Sequence, residues 1–182
     1  AGQLARISGA RQVVGLSSSD DKCRWLTDEL GFDAAINYRT EHLGTRLGEL
    51  FPEGIDVFID NVGGTILDTA LLHLATGARI AIAGFIATDY APNAVAGPGY
   101  YKQLVYKRAR MQGFVVFDYW ERFDEAEAQL LEWYERGELR LAEDVDEGLE
   151  CMPDTLASLF ASANRGVKLC RVSPDPDTLP GE

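Results

Sequence analysis

The stretch AGQLARISGARQVVGLSSSDDK, residues 1–22, decides how the rest of the chain is read. Leu4, Ala5 and Ile7 are apolar, while Gly2, Gln3 and Arg6 are not. That pattern predicts a helix over residues 1–7, with Gly9 where a helix stops. QVVGL, residues 12–16, reads as a buried strand. The serines that follow, with Asp20 and Asp21 behind them, read as a helix N-cap and an acidic first turn. A chain that opens on a helix without a cap raises the question of what should stand before it.

Downstream, strands and helices alternate. DDKCRWLTDELGF is predicted to be a helix ending at Gly31, AAINY a strand, and TEHLGTRLGELF a polar helix. IDVFIDNV is the most strand-like run. In GGTILDTALLHLATG, the residues Ile66, Leu67, Ala70, Leu71 and Leu74 form one helical stripe. ARIAIAGF is the next strand, IATDYAPNAVAGPG a loop, YYKQLVYKRA a helix, GFVVFD a strand, and RFDEAEAQLLEWYERG a helix closed by Gly137. After Gly137, ELRLAEDVDEGLE reads as acidic and mostly irregular, MPDTLASLFASAN as a short helix, and VKLCRV as a short strand. The alternation predicts a parallel sheet with helices on both faces, a Rossmann-like doubly wound α/β fold. Residues 1–138 form its nucleotide-binding domain, 139–172 a C-terminal segment, and 173–182 a disordered tail.

A dinucleotide fold begins with a central strand and a Gly-rich turn whose helix holds the pyrophosphate. No GxGxxG occurs here, so the opening helix reads as the one after such a turn, and QVVGL and AAINY as the second and third strands. A flavodoxin-like or other α/β domain that simply begins with a helix fits the same spacing equally well. On the first reading QVVGL and IDVFIDN flank an absent strand, and their backbone groups would be buried without partners. A preceding segment is therefore expected to supply that strand. Residues 1–182 alone are expected to hold a dinucleotide weakly or not at all.

Composition narrows the function classes. The 182 residues include 46% hydrophobic side chains, an ordinary globular share, and are enough for one sizeable core. No apolar run could span a membrane, and the start has no signal-peptide pattern. The formal net charge of −12 argues against a nucleic-acid or anionic-membrane surface, despite Lys107, Arg108 and Arg110. Cys23, Cys151 and Cys170 lie far apart with no CxxC spacing, pointing to buried thiols in a reducing, cytoplasmic compartment. With only His42 and His73 beside them, no metal cluster is expected.

Two places carry chemical signals. At the end of QVVGL, Ser17, Ser18 and Ser19 stand where NAD-binding folds place an acid, and Lys22 follows. Small hydroxyls and a cation suit a ribose 2′-phosphate, and the same serines suit helix capping; both can hold at once. In FIDNVGG, Asn61 could bond a ribose or amide, and Gly63 and Gly64 could permit close approach. Equally, this is a plain turn before a helix.

Taken in order, SDDKCRWLTDELGFDAAINYRTE, GIDVFIDNVGG, ARIAIAGFIA and KRARMQGFVVFD resemble one family. It is the zinc-independent medium-chain reductases of the leukotriene B4 dehydrogenase, prostaglandin reductase and alkenal double-bond reductase group, bacterial curcumin-type reductases included. The resemblance runs from Ala1 to about Val172 and covers the C-terminal half of such proteins, without their GroES-like domain.

The resemblance implies NADP(H) as cofactor. It implies that Lys22 neutralises the 2′-phosphate, that Tyr38 lies beside the adenosine end, and that Asn61 contacts the cofactor. Ala83, Gly84, Phe85, Ile86, Ala87 and Thr88 match the loop lining the nicotinamide half, and Phe114, Val115 and Val116 a nicotinamide-contacting run. Asn164 matches the asparagine of a C-terminal NxGK motif, which here reads NRGVK. Tyr101 matches a tyrosine near the substrate carbonyl. The implied reaction is hydride delivery to the β-carbon of an α,β-unsaturated ketone or aldehyde, with Tyr101 stabilising the developing oxyanion. A homodimer is open to such a protein. A non-catalytic nucleotide-binding module, or a remnant that binds nothing, is the competing class.

Overall fold

The computed structural model describes residues 1–89, 97–160 and 164–173. Two compact units divide the chain, Ala1–Gln129 and Leu130–Glu182. The first begins with helix α1 (Gly2–Ile7), strand β1 (Val14–Ser17), helix α2 (Asp20–Asp28) and strand β2 (Ala34–Asn37). α2 starts where expected because the Ser19 hydroxyl accepts from the Lys22 N–H at 3.3 Å, with Asp20 and Asp21 in the first turn. Helix α3 (Leu43–Leu50) is capped by the His42 ring, which accepts from the Thr45 N–H at 3.2 Å.

Strand β3 (Ile55–Asp60), helix α4 (Gly64–Leu72), strand β4 (Leu74–Ile82), helical turn α5 (Ile86–Asp89), helix α6 (Gln103–Lys107) and strand β5 (Arg110–Gly113) follow. β1 pairs with β2, and β4 lies between β3 and β5; all three pairings are parallel. β1 and β3 do not pair with each other. In a doubly wound sheet of order 3-2-1-4-5-6, β1 to β5 match positions 2 to 6 in turn, and among the described residues no strand matches position 1.

Two clusters hold this unit. Leu67 and Leu71 of α4 pack on Leu74, Ala78 and Ile80 of β4. Ile36, Leu47 and Ile55 form the other, with Val14, Leu16 and Phe58 against it, so β1, β2 and β3 share one core. Leu71 and Ile36 are fully buried, and each such side chain contributes about 1.5–3 kcal/mol.

Three expectations need correction. The strand predicted over GFVVFD lies earlier, at Arg110–Gly113. β4 ends at Ile82, opposite Gly113, so Phe114 makes one last bond to the Ile82 carbonyl and the chain turns into a 3-10 segment, Val116–Arg122. The predicted loop after Phe85 contains α5, while residues 90–96 lie outside the described residues. The stretch expected to be irregular after Gly137 contains strand β6 (Glu143–Glu147). Its acids are tolerated because Lys168 of strand β7 (Val167–Arg171), its side chain only 8% exposed, bonds both Asp144 and Asp146 at 2.8 Å.

Helix α7 (Phe123–Glu135) spans the boundary between the units. The second unit is a βαβ arrangement: β6, a 3-10 turn at Leu149–Cys151, helix α8 (Met152–Phe160), then β7 parallel to β6. The predicted tail from residue 174 onward lies outside the described residues. No helix among the described residues is long and apolar enough to cross a membrane.

Candidate functional site

Parallel strands aim their carboxyl ends at one edge of a sheet, and ligands bind there in open α/β folds. At the ends of β1 and β2, the Tyr38 N–H donates to the Ser17 carbonyl at 3.1 Å. Asn37, 4% exposed, donates through Nδ2 to Asp20 at 2.6 Å, and its N–H reaches Glu41 at 2.7 Å. These bonds set the first turn of α2, carrying Lys22, beside the chain leaving β2, carrying Tyr38. Cys23, one residue on, has its thiol pushed up by burial first and then by Glu41 and Asp20.

At the end of β3 the Asp60 carboxylate, 2% exposed, accepts from the Val62 and Gly63 N–H groups, both at 2.9 Å. This turn delivers Gly63 (φ +72°) and Gly64 (φ +59°) in succession into left-handed backbone, which glycine alone adopts without strain. Gly63 caps α4 with no side chain over the first N–H groups.

The loop after β4 rests on this turn. Ala83 and Gly84 donate to the Asp60 carbonyl at 2.7 and 3.2 Å, and Ala87 to the Val62 carbonyl at 2.9 Å. A side chain on Gly84 would begin 3.0 Å from the Asn61 carbonyl oxygen, so any larger residue there would push the two backbones apart by a few tenths of an ångström. Between them opens a cleft of about 360 Å3, lined by Asp60, Gly63, Gly64, Gly84, Phe85, Leu67, Asp68, Ile82, Gly97, Pro98 and Met111.

The structure therefore brings Asn61, Ala83, Gly84, Phe85, Ile86 and Ala87 to one edge, with Phe114 tied to Ile82 beside them. Val115 and Val116 follow and are more than half exposed. Thr88 lies on α5, its side chain outside the described residues. Tyr101 is 65% exposed in the turn before α6. In the second unit, the Asn164 amide donates to the Gly166 carbonyl at 2.8 Å and shapes the turn into β7.

Two residues escaped the sequence reading. Asp60 had an available signal, since an acid ending a strand before NVGG is positioned to bond the backbone two and three residues on. Asp68 had none. Its carboxylate accepts from the Gly99 N–H at 2.8 Å, 31 residues away, and ties the segment before Tyr101 to α4. Among the described residues, no group of three or more His, Cys, Asp or Glu side chains could hold a metal ion.

Residues 1–133 match the family model described as zinc-binding dehydrogenase. The Bacillus subtilis protein YfmJ, named for an inferred NADP-dependent oxidoreductase activity, is 43% identical over 178 residues, covering 96% of this chain and 52% of its own length. The Escherichia coli NADPH-dependent curcumin reductase is 33% identical over 179 residues, with the same shares covered. The crystal structure of CurA from Vibrio vulnificus in complex with NADPH superposes with a TM-score of 0.87 at 33% identity, covering 96% of this chain and 53% of CurA. The chain spans about half the length of the curated relatives it matches.

Proposed function

This chain belongs to the zinc-binding dehydrogenase family, and we propose that it forms the NADPH-holding half of a reductase acting on carbon–carbon double bonds conjugated to a carbonyl. The observation that carries the reading is the glycine-lined cleft between the Asp60 turn and the 83–87 loop, at the carboxyl edge of β3 and β4. It gives a flat ligand a backbone-walled approach that a Cβ at residue 84 would narrow. The similarity to a curcumin reductase and to the NADPH complex of CurA supports NADPH as the ligand.

In this reading the first turn of α2 meets the 2′-phosphate. Ser17, Ser18 and Ser19 offer hydroxyls, and Lys22 offers the cation that distinguishes NADPH from NADH. Tyr38 flanks the adenosine end. Asn61, the 83–88 loop, Phe114, Val115 and Val116 line the nicotinamide end. The cofactor, when bound, supplies hydride.

The chain's own part in the chemistry is the Tyr101 hydroxyl. It donates a hydrogen bond to the carbonyl oxygen of an enone or enal as negative charge gathers there. Asp68 keeps the preceding backbone, Gly99 and Tyr100, on α4 and so positions Tyr101. Although the family is described as zinc-binding, the described residues offer zinc no ligand set.

The test is steady-state reduction of a simple alkenal by the full-length protein, with NADPH and NADH compared. NADPH-dependent loss of the conjugated double bond supports the reading; equal use of both cofactors, or no turnover of enones and enals, refutes it.

A further inference from the structure

The second unit holds a pair of thiols that the chemistry above does not use. Cys170 stands in β7 opposite Asp146, and Cys151 closes the 3-10 turn before α8. Nineteen residues separate them in sequence, yet their Sγ atoms lie 2.9 Å apart. The same Gly148 carbonyl lies 2.9 Å from the Cys151 sulfur and 3.1 Å from the Cys170 sulfur. Both thiols are free and half-buried.

Their placement is held from several sides. The Gly148 N–H donates to the Arg171 carbonyl at 2.8 Å, and the Cys151 N–H to the Gly148 carbonyl at 3.3 Å. Thr155, buried on α8, reaches both Asp146 and the Cys151 sulfur. The turn, the helix and the strand thus converge on the two sulfurs.

We propose that Cys151 and Cys170 are a reversible dithiol–disulfide site, oxidised by small-molecule disulfides of the glutathione class. A covalent S–S bond is about 2.05 Å, so the sulfurs need to close by less than an ångström. One thiolate of the pair attacks one sulfur of the oxidant, forming a mixed disulfide and releasing one small thiol. The other thiolate then attacks the protein sulfur of that mixed disulfide, closing the internal Cys151–Cys170 disulfide and releasing the second small thiol. The protein loses two hydrogens, and one oxidant disulfide becomes two thiols.

Cys170 is pushed up to about 11, by the bond to Cys151 first, then burial. The exchange opens at either sulfur, and attack by the other on the mixed disulfide is intramolecular at contact distance, so that intermediate does not accumulate. Cys23 belongs to the first unit and is not one of the pair.

The test is equilibration of the reduced, purified full-length protein with oxidised glutathione, acid quenching, alkylation and peptide mapping. The expected product joins the Cys151 and Cys170 peptides, is lighter by two hydrogens, and is cleaved by dithiothreitol. A Cys23→Ser variant should give the same link in the same yield. In Cys151→Ser, any oxidation at Cys170 should appear as a glutathione adduct. Wild-type protein that retains both thiols, or that accumulates glutathione on them without the internal link, overturns the proposal.

Discussion

The Asp60 carboxylate and the Gly63 N–H meet at 2.9 Å in a position almost closed to water. One side chain thereby fixes a backbone turn on which a second loop is built, since Ala83 and Gly84 donate to the carbonyl of the same residue. The carboxyl edge of the sheet is organised around Asp60, which makes it a positioning residue for whatever the cleft holds.

Replacing Asp60 by Ala should be among the costliest changes in the first unit. It leaves the Val62 and Gly63 N–H groups without their acceptor, and the buried Gly63 group alone costs about 1–3 kcal/mol when left unpaired. Urea unfolding should show a loss of that order, with Asp60→Asn losing less because its amide oxygen still accepts. An Asp60→Ala protein as stable as the parent would show that the turn does not depend on this side chain.

Lys22→Ala should weaken NADPH binding and leave NADH binding nearly unchanged. A cation lost from beside a phosphate in partly screened surroundings costs about 1–3 kcal/mol, roughly a five- to 150-fold change in affinity. Titrating both cofactors measures it. An unchanged ratio of the two dissociation constants removes Lys22 as the selector.

Tyr101→Phe should lower kcat for enone reduction by up to about 10²–10³, with NADPH affinity preserved. The ring stays and only the donor goes, so a merely structural role would leave the rate alone. A kcat within error of the parent would remove Tyr101 from the reaction.

The Lys168 triad sets an acid limit on the second unit's stability. Asp144 and Asp146 are held below their ordinary 3.8 by hydrogen bonds from Lys168 first, then from the Arg165 N–H and the Thr155 hydroxyl respectively. Carboxylates depressed in the folded state stabilise it above their unfolded pKa, and that contribution disappears as pH falls through the folded values. Lys168 is raised above 10.5, by Asp144 and then Asp146, so its share is present below that pH and is lost as pH climbs through the folded value. Unfolding measured against pH should therefore show no change from the triad between roughly 5 and 9, with a fall below about 4. Lys168→Met should flatten the acid limb; an acid limb identical to the parent's would contradict this assignment.

Much of the first unit is legible in the sequence. β1, α2 and β2 follow from an apolar run, a serine cap and a second apolar run, each a local signal. β3 and the turn after it follow for the same reason. What failed was non-local. GFVVFD has strand-forming residues, but β4 runs out of partners at Ile82, and the ladder, not propensity, decides where β5 ends. The acids of β6 argued against a strand until Lys168, more than twenty residues later, neutralised two of them. Cys151 and Cys170 looked unrelated because parallel pairing across a crossover helix joins distant positions without a sequence spacing to announce it. At the candidate site, the resemblance pointed to the 83–88 loop, whose backbone bonds residues 60–62, while Asp68 was hidden by its distance from Gly99.

The measurement that bears most directly on the central claim is the fate of a labelled hydride. NADPH carrying deuterium at the transferable nicotinamide position is supplied to the full-length protein with an α,β-unsaturated ketone, and the product is read by NMR. The expected product is a saturated ketone with deuterium on the former β-carbon. Deuterium on the former carbonyl carbon, in an allylic alcohol, would contradict it.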